Sequence, residues 1–331
     1  MSELETLGYV LSPAKPPVIR ASILEDQAGS LSVGDLVAIP IILDDKVLYI
    51  FGTVLSIESR RPLLDISSKA PYVLTRGDTM NLLEDVDMLV PSELEDISYV
   101  AEIYLHRLLY DKFYGVHVVL PGSKIVRPPE DVISKILPKE GIEIGFLRGY
   151  ELSLKIPKER LFRDNLIIIG NKRVEIAKKI ASSLEAKAKI YVGREDIGWE
   201  EAHSLEDLSG EAKYTILDDI IKYLREVKEK TVLILDNASA FGASLWVILG
   251  PMIMKPNVAT ILLSDFMTST IFGVLRRFSR SFLFLNEHSY DWIKERDKKM
   301  RRRDIVLSLA EGEFFFLNSS IGLPIVGTVK V

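Results

Sequence analysis

Short, fully apolar strands that alternate with helical patterns are the feature that most constrains the fold of this chain. These strands cover residues 166–169, 189–192, 231–235, 258–263 and 281–285. Between them apolar residues recur at helical spacing, from Val174 to Leu184 and again from Leu217 to Val227. Strands that are apolar on both faces must be covered on both faces, which predicts a mainly parallel sheet between helices. Ligands of such sheets bind beyond the carboxyl ends of the strands.

Two of these strand ends stand where a nucleotide-hydrolysing α/β domain carries its phosphate site. The first strand is followed by Gly170, Asn171, Lys172 and Arg173, and then by a helix. A phosphate-binding loop needs G-x-x-x-x-G-K-[ST], so that backbone N–H groups, a lysine and a hydroxyl can hold phosphate and Mg²⁺. A second glycine and a Lys-Ser/Thr pair are missing here, and the chain contains no Gly-Lys dipeptide. We expect a shortened loop with Lys172 and Arg173 in solvent; weak anion binding at the helix N-terminus is the alternative.

The acidic half of the site is also incomplete. Asp236 follows the strand at 231–235 and could hold magnesium, but Asn237 stands where a glutamate would polarise water. An amide cannot act as a general base. We therefore expect no catalytic residue and no cofactor, with Gly170, Asn171, Lys172, Asp236 and Asn237 as remnants of a nucleotide site. An ATPase with an unorthodox loop, or one completed by a partner subunit, is the alternative.

The N-terminal region has a different pattern, of short β-rich segments separated by turns. They cover residues 8–11, 18–23, 36–42, 47–55, 99–105 and 114–120. Closely spaced short strands predict a small β-barrel over residues 1–130, with an irregular excursion near 59–95. Gly52 inside a strand suggests a bulge or a tight bend. The barrel could be purely structural or a docking module, and the α/β domain with its C-terminal strands would fill residues 131–331.

Composition excludes several classes of site. The chain has no cysteine, and none of its four histidines is paired at metal-ligand spacing, so disulfides, thiol catalysis and a metal site are not expected. The acidic N-terminus lacks a signal-peptide pattern. The apolar stretch 243–254 is shorter than the ~20 residues of a membrane span, so we interpret it, with Trp246, as buried core. An oligomer contact over residues 241–254 is the alternative. Trp292 is also expected in the core, and the protein in the cytoplasm without a membrane partner.

Basic residues cluster in two places despite the net charge of −5. The clusters comprise Arg276, Arg277 and Arg280, and then Lys294, Arg296, Lys298, Lys299, Arg301, Arg302 and Arg303. Acidic residues interleave the second cluster, so a solvated helix face explains it equally well. Contact with a phosphate backbone or with another subunit is the functional alternative.

The chain resembles the archaeal HerA DNA-translocating ATPases, which belong with the FtsK-type hexameric motors and carry an N-terminal HAS barrel. The resemblance rests on residues 8–10, 33–40 and 51–54 in the barrel, 144–147 and 165–170 before the loop, 232–239, and 309–331 at the C-terminus. Asn237 stands where the family has glutamate, and Ser264-Asp265 stand where it has a Thr-Gln pair. The stretch between Gly170 and Asp236 also lacks the family's helical insertion.

The resemblance implies a RecA-like ATPase fold, oligomeric assembly, and a NurA-type nuclease or a HerA-type motor as partner. In ring ATPases an arginine reaches the neighbouring subunit's nucleotide, a role that it implies for Arg276, Arg277 or Arg280. Because the hydrolytic residues are missing, we expect an inactive scaffold or regulator in DNA repair and end processing that acts through contacts with other proteins and could also contact DNA. The alternatives are a residual or partner-completed ATPase or translocase subunit, and a binding module with no role on DNA.

Overall fold

The computed structural model describes residues 4–14, 16–43, 46–60, 98–106, 119–265, 273–285, 302–318 and 321–329. The chain divides into two compact units, Met1–Pro129 and Glu130–Val331. No helix within the described ranges combines the length and the apolar character that crossing a lipid bilayer requires.

The first unit contains a closed antiparallel barrel of six strands, which confirms the predicted barrel. Its elements are β1 (Thr6–Val10), β2 (Val18–Ile23), α1 (Glu25–Ala28), β3 (Leu36–Leu43), β4 (Lys46–Arg60), β5 (Ser98–Leu105) and β6 (Lys124–Val126). The strands close in the order β1-β2-β5-β4-β3-β6. Inward-facing aliphatic side chains such as Leu7, Ile19, Val54 and Ile103 fill the interior, since alternate residues of a strand point to the same face.

Two details of the barrel differ from the sequence prediction. Gly52 pairs regularly with Val37 and Leu105, and the strand irregularity lies between Val54 and Ser56. A Cβ atom at Gly52 would lie 2.6 Å from Ile103 Cγ2, so the glycine is required by close packing. Of the strand predicted at 114–120, residues 114–118 lie outside the described residues and 119–120 are not in a strand. The short β6, which was not predicted, closes the barrel. The predicted excursion near 59–95 falls almost entirely outside the described residues.

The second unit is an α/β domain around one eleven-stranded sheet. Its first elements are α2 (Glu130–Ile133), β7 (Ile142–Leu147), β8 (Ser153–Ile156), α3 (Lys158–Asp164), β9 (Leu166–Ile169), α4 (Arg173–Ser182), β10 (Ala188–Val192), β11 (Glu200–Glu201), β12 (Gly210–Tyr214) and α5 (Leu217–Glu226). They are followed by β13 (Thr231–Leu235), a 3-10 turn (Ala238–Ala240), α6 (Ala243–Ile253), β14 (Val258–Ser264), β15 (Ser281–Leu285), α7 (Arg302–Leu307), β16 (Glu313–Asn318) and β17 (Pro324–Thr328).

The sheet has the order β11-β12-β10-β13-β14-β9-β15-β16-β17-β7-β8. The seven strands from β11 to β15 are parallel, and the remaining four join antiparallel. Every residue of β9, β13, β14 and β15 is buried, because helices and loops cover both faces. The predicted fold class, a mainly parallel α/β sheet beside a small barrel, is confirmed. The carboxyl ends of β10, β13, β14 and β9 follow one another along one edge.

The apolar stretch 243–254 forms α6, which is only partly buried. Trp246, Leu249 and Ile253 are buried as expected. Val247, Ile248 and Met254 remain 74%, 46% and 47% exposed, so the stretch is buried core on one face only. The helix lies on the surface of the unit and covers it with one face only, although its outer face is equally apolar. Trp292 lies outside the described residues.

Candidate functional site

A three-residue turn joins β9 to α4 at the carboxyl edge of the sheet. Gly170, Asn171 and Lys172 alone separate Ile169 from Arg173, whereas a phosphate-binding loop has four residues between its glycines. The Gly170 N–H donates to the Ser264 carbonyl oxygen at 3.0 Å, which fixes the turn against β14. Gly170 has φ +117°, a value that favours glycine, and a Cβ there would lie 3.0 Å from Leu285 Cβ.

The start of α4 breaks the usual rules for a helix N-terminus. Lys172 occupies the N-cap position with φ +60°, which is uncommon for a side-chain-bearing residue. Lys172 and Arg173 also place two cations at the positive end of the helix dipole, where anions are favoured. Lys172 is exposed, as expected from the sequence, and water can screen its charge. Arg173 is buried and therefore needs a compensating partner.

Three carboxylates compensate Arg173. Its Nε lies 3.1 Å from Asp236 Oδ1, its Nη1 contacts Asp265 Oδ1, and its Nη2 lies 3.6 Å from Glu195 Oε1. These acids follow β13, β14 and β10, so one guanidinium joins the carboxyl ends of three strands to the helix after β9. We refer to these four residues as the Arg173 cluster. The expectation that Arg173 is a solvated first-turn residue is wrong.

The carboxylate of Asp236 is fully engaged by the protein. Oδ1 accepts from Arg173 Nε at 3.1 Å and from the Asn237 backbone N–H at 2.8 Å. Oδ2 accepts from the Tyr191 hydroxyl at 3.3 Å. Both carboxylate oxygens thus have partners within the chain. The side chain of Asn237 instead accepts from Ser239 Oγ at 3.4 Å, and its backbone has φ +55°, which asparagine tolerates.

The side of the Arg173 cluster next to Tyr191 is shielded from water. The residue lies on β10 and is completely buried. Burial raises the pKa of its hydroxyl far above the ordinary value of 10, and the negative charge of Asp236 raises it further. The neutral hydroxyl therefore remains a hydrogen-bond donor to Asp236 through the ordinary pH range.

The formal charges of the Arg173 cluster do not balance. Three carboxylates face one guanidinium, which leaves an excess of two negative charges. Glu195 and Asp265 are about half exposed, so water screens part of this excess, whereas Asp236 is buried. A phosphate group approaching this edge would meet a negative field and a guanidinium that is already paired with three carboxylates.

A second polar cluster lies at the opposite end of β9, around the buried Asn165. Its Nδ2 donates to the carbonyl oxygens of Ile253 at 3.1 Å and of Phe278 at 2.9 Å, and its Oδ1 accepts from the Thr260 N–H at 3.1 Å. Ser279 Oγ donates to the Asn165 carbonyl oxygen at 3.1 Å. This Asn165 cluster contains no charged side chain and joins the ends of α3 and α6 to β14 and to the segment before β15.

The basic residues singled out in the sequence do not join the Arg173 cluster. Arg276, Arg277 and Arg280 are exposed and precede β15, at the amino edge of the sheet. Lys294, Arg296, Lys298, Lys299 and Arg301 lie outside the described residues. Arg302 and Arg303 begin α7, and their side chains are not among those described. The structure therefore separates the arginines before β15 from the candidate nucleotide edge.

Sequence reasoning placed Arg173 in solvent and missed Tyr191 and Glu195 as members of the site. The one available signal was the pair of cations at the start of α4, since a buried cation there requires acidic partners. Tyr191 and Glu195 gave no signal, because their roles depend on β10 lying next to β13. Within the described residues, no group of three or more histidine, aspartate or glutamate side chains is arranged to hold a metal ion.

No known protein family and no curated protein matches the sequence. Among solved structures, the chain is similar to the genome-packaging NTPase B204 of Sulfolobus turreted icosahedral virus 2 in complex with ATP-gammaS, with a TM-score of 0.38 and 11% identity over 51% of this chain and 99% of that one. It is also similar to the cytoplasmic domain of the type VII secretion ATPase EccC of Thermomonospora curvata, with a TM-score of 0.39 and 11% identity over 60% and 30% of the two chains.

A third similarity is to the ATPase DotB of Legionella pneumophila, with a TM-score of 0.25 and 9% identity over 84% and 72% of the two chains. All three of these proteins are described as NTPases or ATPases. At these TM-scores and identities they carry no argument about the activity of this chain.

Proposed function

We propose that this protein is a non-hydrolysing, NTPase-like scaffold. In it, the Arg173 guanidinium supplies the positive charge that Mg²⁺ and a loop lysine supply in a hydrolysing domain. The observation that carries the proposal is the buried ion pair between Arg173 and Asp236. In a hydrolysing domain of this fold, the acid after the central strand helps to hold Mg²⁺, and a lysine neutralises the phosphates. Here the acid is neutralised from within the chain.

Nucleotide binding would require Arg173 to leave this pair. Breaking a buried ion pair typically costs about 3–5 kcal/mol, and each ~1.4 kcal/mol weakens binding tenfold. A nucleotide that would otherwise bind with a dissociation constant of about 1 μM would then bind with one of about 0.1–4 mM. The short turn after β9 and the negative excess of the cluster act in the same direction. We infer that ATP binds this edge no more tightly than roughly millimolar.

The resemblance to HerA supplies the biological setting of the proposal. By that resemblance the protein would act as a scaffold or regulator in DNA end processing, with a NurA-type nuclease or a HerA-type motor as partner. Contact with a DNA backbone through Arg276, Arg277 or Arg280 belongs to the same proposal, because exposed arginines suit phosphate oxygens. A residual or partner-completed ATPase is the competing function.

Calorimetric titration with ATP, with and without Mg²⁺, tests the inactive site. The whole chain should give no saturable heat up to roughly millimolar ATP and no phosphate release above a blank. Asp236→Asn serves as the matched control, because it removes the charge that Mg²⁺ would need. Micromolar, Mg²⁺-dependent binding with turnover that this variant abolishes would contradict the proposal.

A separate measurement tests the role on DNA. Affinity for a duplex oligonucleotide should fall steeply with salt, with a slope of about 0.9 for each phosphate contacted. Co-purification with a NurA-type nuclease encoded by the same genome would support the end-processing role. Absence of DNA binding, both alone and with such a nuclease, would favour a binding module with no role on DNA.

A further inference from the structure

The outer face of α6 presents a strip of apolar side chains to solvent. Val247, Ile248, Pro251 and Met254 are all exposed. The last three follow Val247 by one, four and seven residues, so the four lie on one side of the helix over about two turns. Single exposed apolar residues are ordinary, but a continuous group of them marks an interaction surface. We call these four residues the apolar strip.

Contacts with two neighbouring elements hold α6 in place. At its middle, the Phe278 ring lies over Gly250, where a Cβ atom would be 2.3 Å from Phe278 Cζ. At its C-terminal end, Lys255 Nζ donates to the carbonyl oxygens of Leu224 and Arg225 in α5, at 2.6 Å and 2.8 Å. The apolar strip is therefore ordered before any partner arrives, and an ordered surface loses less conformational entropy on binding.

The chain segments that form and border the apolar strip are positively charged. Residues 241–257 and 273–280 contain one lysine, three arginines and no aspartate or glutamate, although the whole chain has a net charge of −5. Arg276 and Arg277 are exposed and come directly before the ring that covers the middle of α6. Residues 223–228, at the end of α5, add two cations and one acid. A partner that covers the strip therefore meets a positive field.

We propose that the apolar strip docks an acidic amphipathic helix of another protein. A partner helix with apolar residues at the same spacing packs along α6 over about two turns. Aspartate or glutamate side chains on the flanks of that helix reach the arginines, whose planar donors bind carboxylates in pairs. This contact does not depend on whether the nucleotide site is inactive.

The side chains around the strip favour a protein partner over a lipid surface or a second copy of this chain. Protein interfaces are enriched in methionine and arginine, as this surface is. A helix that lies in a membrane surface turns tryptophan or phenylalanine toward the lipid, whereas Trp246 is 1% exposed and faces the core. Contact between the α6 helices of two copies would bring like charges together.

Fluorescence anisotropy with a labelled synthetic peptide tests the docking surface. The peptide has about 18 residues, enough to form a helix, with leucine at every third or fourth position and glutamate on both flanks. Its dissociation constant for the whole chain should lie below about 0.1 mM at about 0.05 M NaCl. Binding should weaken at least about tenfold at about 0.5 M NaCl, because salt screens the flanking charges.

Two matched peptides separate the charge of the partner from its apolar stripe. One carries lysine in place of every glutamate, and the other has the acidic composition with its leucines spread around the helix. Each should bind at least about tenfold more weakly than the acidic amphipathic peptide. The first meets like charges, and the second offers no apolar stripe to α6.

Two variants of the chain locate the contact. Val247→Asp should weaken binding of the acidic peptide at least about tenfold, because its carboxylate would be buried against leucine. Arg276→Glu with Arg277→Glu should weaken binding by a similar factor, because like charges then face each other. Thermal unfolding midpoints close to that of the unmodified protein verify that the variants fold, as expected for changes at exposed positions.

Each variant has a matched control in the barrel. Leu120→Asp makes the apolar-to-acidic change at a residue that is 64% exposed. Arg20→Glu with Lys124→Glu makes the charge reversal at two exposed positions. Both controls should bind the acidic peptide as the unmodified protein does.

Three results would overturn the proposal. They are no saturable binding of the acidic peptide up to about 1 mM, equally tight binding of the lysine peptide, and normal binding by Val247→Asp. The competing occupants have their own measurements. Without peptide binding, Val247-dependent sedimentation with vesicles of phosphatidylcholine and phosphatidylserine would assign the strip to a membrane. A dimer in sedimentation velocity that Val247→Asp dissociates would assign it to a second copy.

Discussion

The two ends of β9 are joined to their neighbours by opposite kinds of chemistry. At the carboxyl end, Arg173 reaches three carboxylates that follow other strands. At the amino end, Asn165 reaches backbone groups of α6, β14 and the segment before β15 with a neutral amide. Both side chains are buried, and both join chain segments that are distant in sequence.

The difference in charge between the two clusters indicates that the Asn165 cluster has a structural role only. A neutral amide with its donors and acceptor satisfied needs no charge balance and is little affected by salt. The Arg173 cluster keeps an excess of negative charge and two half-exposed members, which a structural role alone does not require. Under the proposed function, this composition fits an edge at which the chain itself supplies the cation. The following four changes test this contrast.

Arg173→Met should have the largest effect on stability. It leaves the buried Asp236 carboxylate without its cation, a change that typically costs about 3–5 kcal/mol. The free energy of unfolding from urea denaturation measures this loss. Arg194→Met, at an exposed arginine two residues after β10, is the matched control and should cost little. A loss below about 1 kcal/mol for Arg173→Met would mean that the ion pair is dispensable.

Asn165→Ala should cost about 2–4 kcal/mol. It leaves the Thr260 N–H and two carbonyl oxygens without partners in a buried position, at about 1–3 kcal/mol for each unpaired group before relaxation. Because no charge is removed, the loss should be the same at low and high salt. Asn257→Ala removes two similar side-chain bonds at a partly exposed position and should cost less. A strong salt dependence for Asn165→Ala would contradict a neutral cluster.

Tyr191→Phe should change the pH dependence of stability. The folded-state pKa of Tyr191 lies above the ordinary value of 10, so the unfolded chain releases its proton first. Stability from this group is therefore complete below pH 10 and is lost as pH rises toward the folded-state pKa. Relative to the variant, the unmodified protein should lose about 1.4 kcal/mol between about pH 8 and pH 11. Parallel pH profiles for the two proteins would show that Tyr191 is not held in a dry environment.

Glu195→Gln should have the smallest effect. Its carboxylate is about half exposed and lies 3.6 Å from Arg173, so removing it should change stability by less than about 1 kcal/mol. The change should shrink further at high salt, because exposed pairs are screened. Asp265→Asn offers a second exposed member for comparison. A loss as large as that of Arg173→Met would mean that the half-exposed carboxylates, and not Asp236, provide most of the stability of the cluster.

The architecture could be predicted from sequence because it depends on local pattern. The apolar runs at 166–169, 231–235 and 281–285 coincide with β9, β13 and β15, since a strand covered on both faces leaves an unbroken hydrophobic signature. The absence of a G-x-x-x-x-G-K-[ST] motif could equally be read from the sequence. Neither polar cluster could be predicted, because both form between strands that are adjacent in space but far apart in sequence. Arg173 and Asp236 are 63 residues apart, and Asn165 and Thr260 are 95 apart.

The failure at α6 has a different cause. A stretch of a dozen apolar residues predicts burial, but a helix on the surface of a sheet domain buries one face only. Periodicity could not separate the faces here, because the outer face of α6 is as apolar as the inner one. Only the packing of Trp246 and Leu249 against the domain, and the exposure of Val247 on the other side, distinguishes them.

The attachment of the Arg173 guanidinium to the chain has a consequence for timing. A diffusible ion occupies its site according to its concentration and can be withdrawn by chelation or dilution. A protein that uses such an ion therefore alternates between an ion-bound and an ion-free state. A guanidinium tethered four bonds from the backbone has an effective local concentration that no solution change alters. Under the proposed function, the cation at the carboxyl edge is therefore always present, and the edge has no bound and unbound states between which to alternate. Any sequence of events in which this protein takes part must be timed by another molecule.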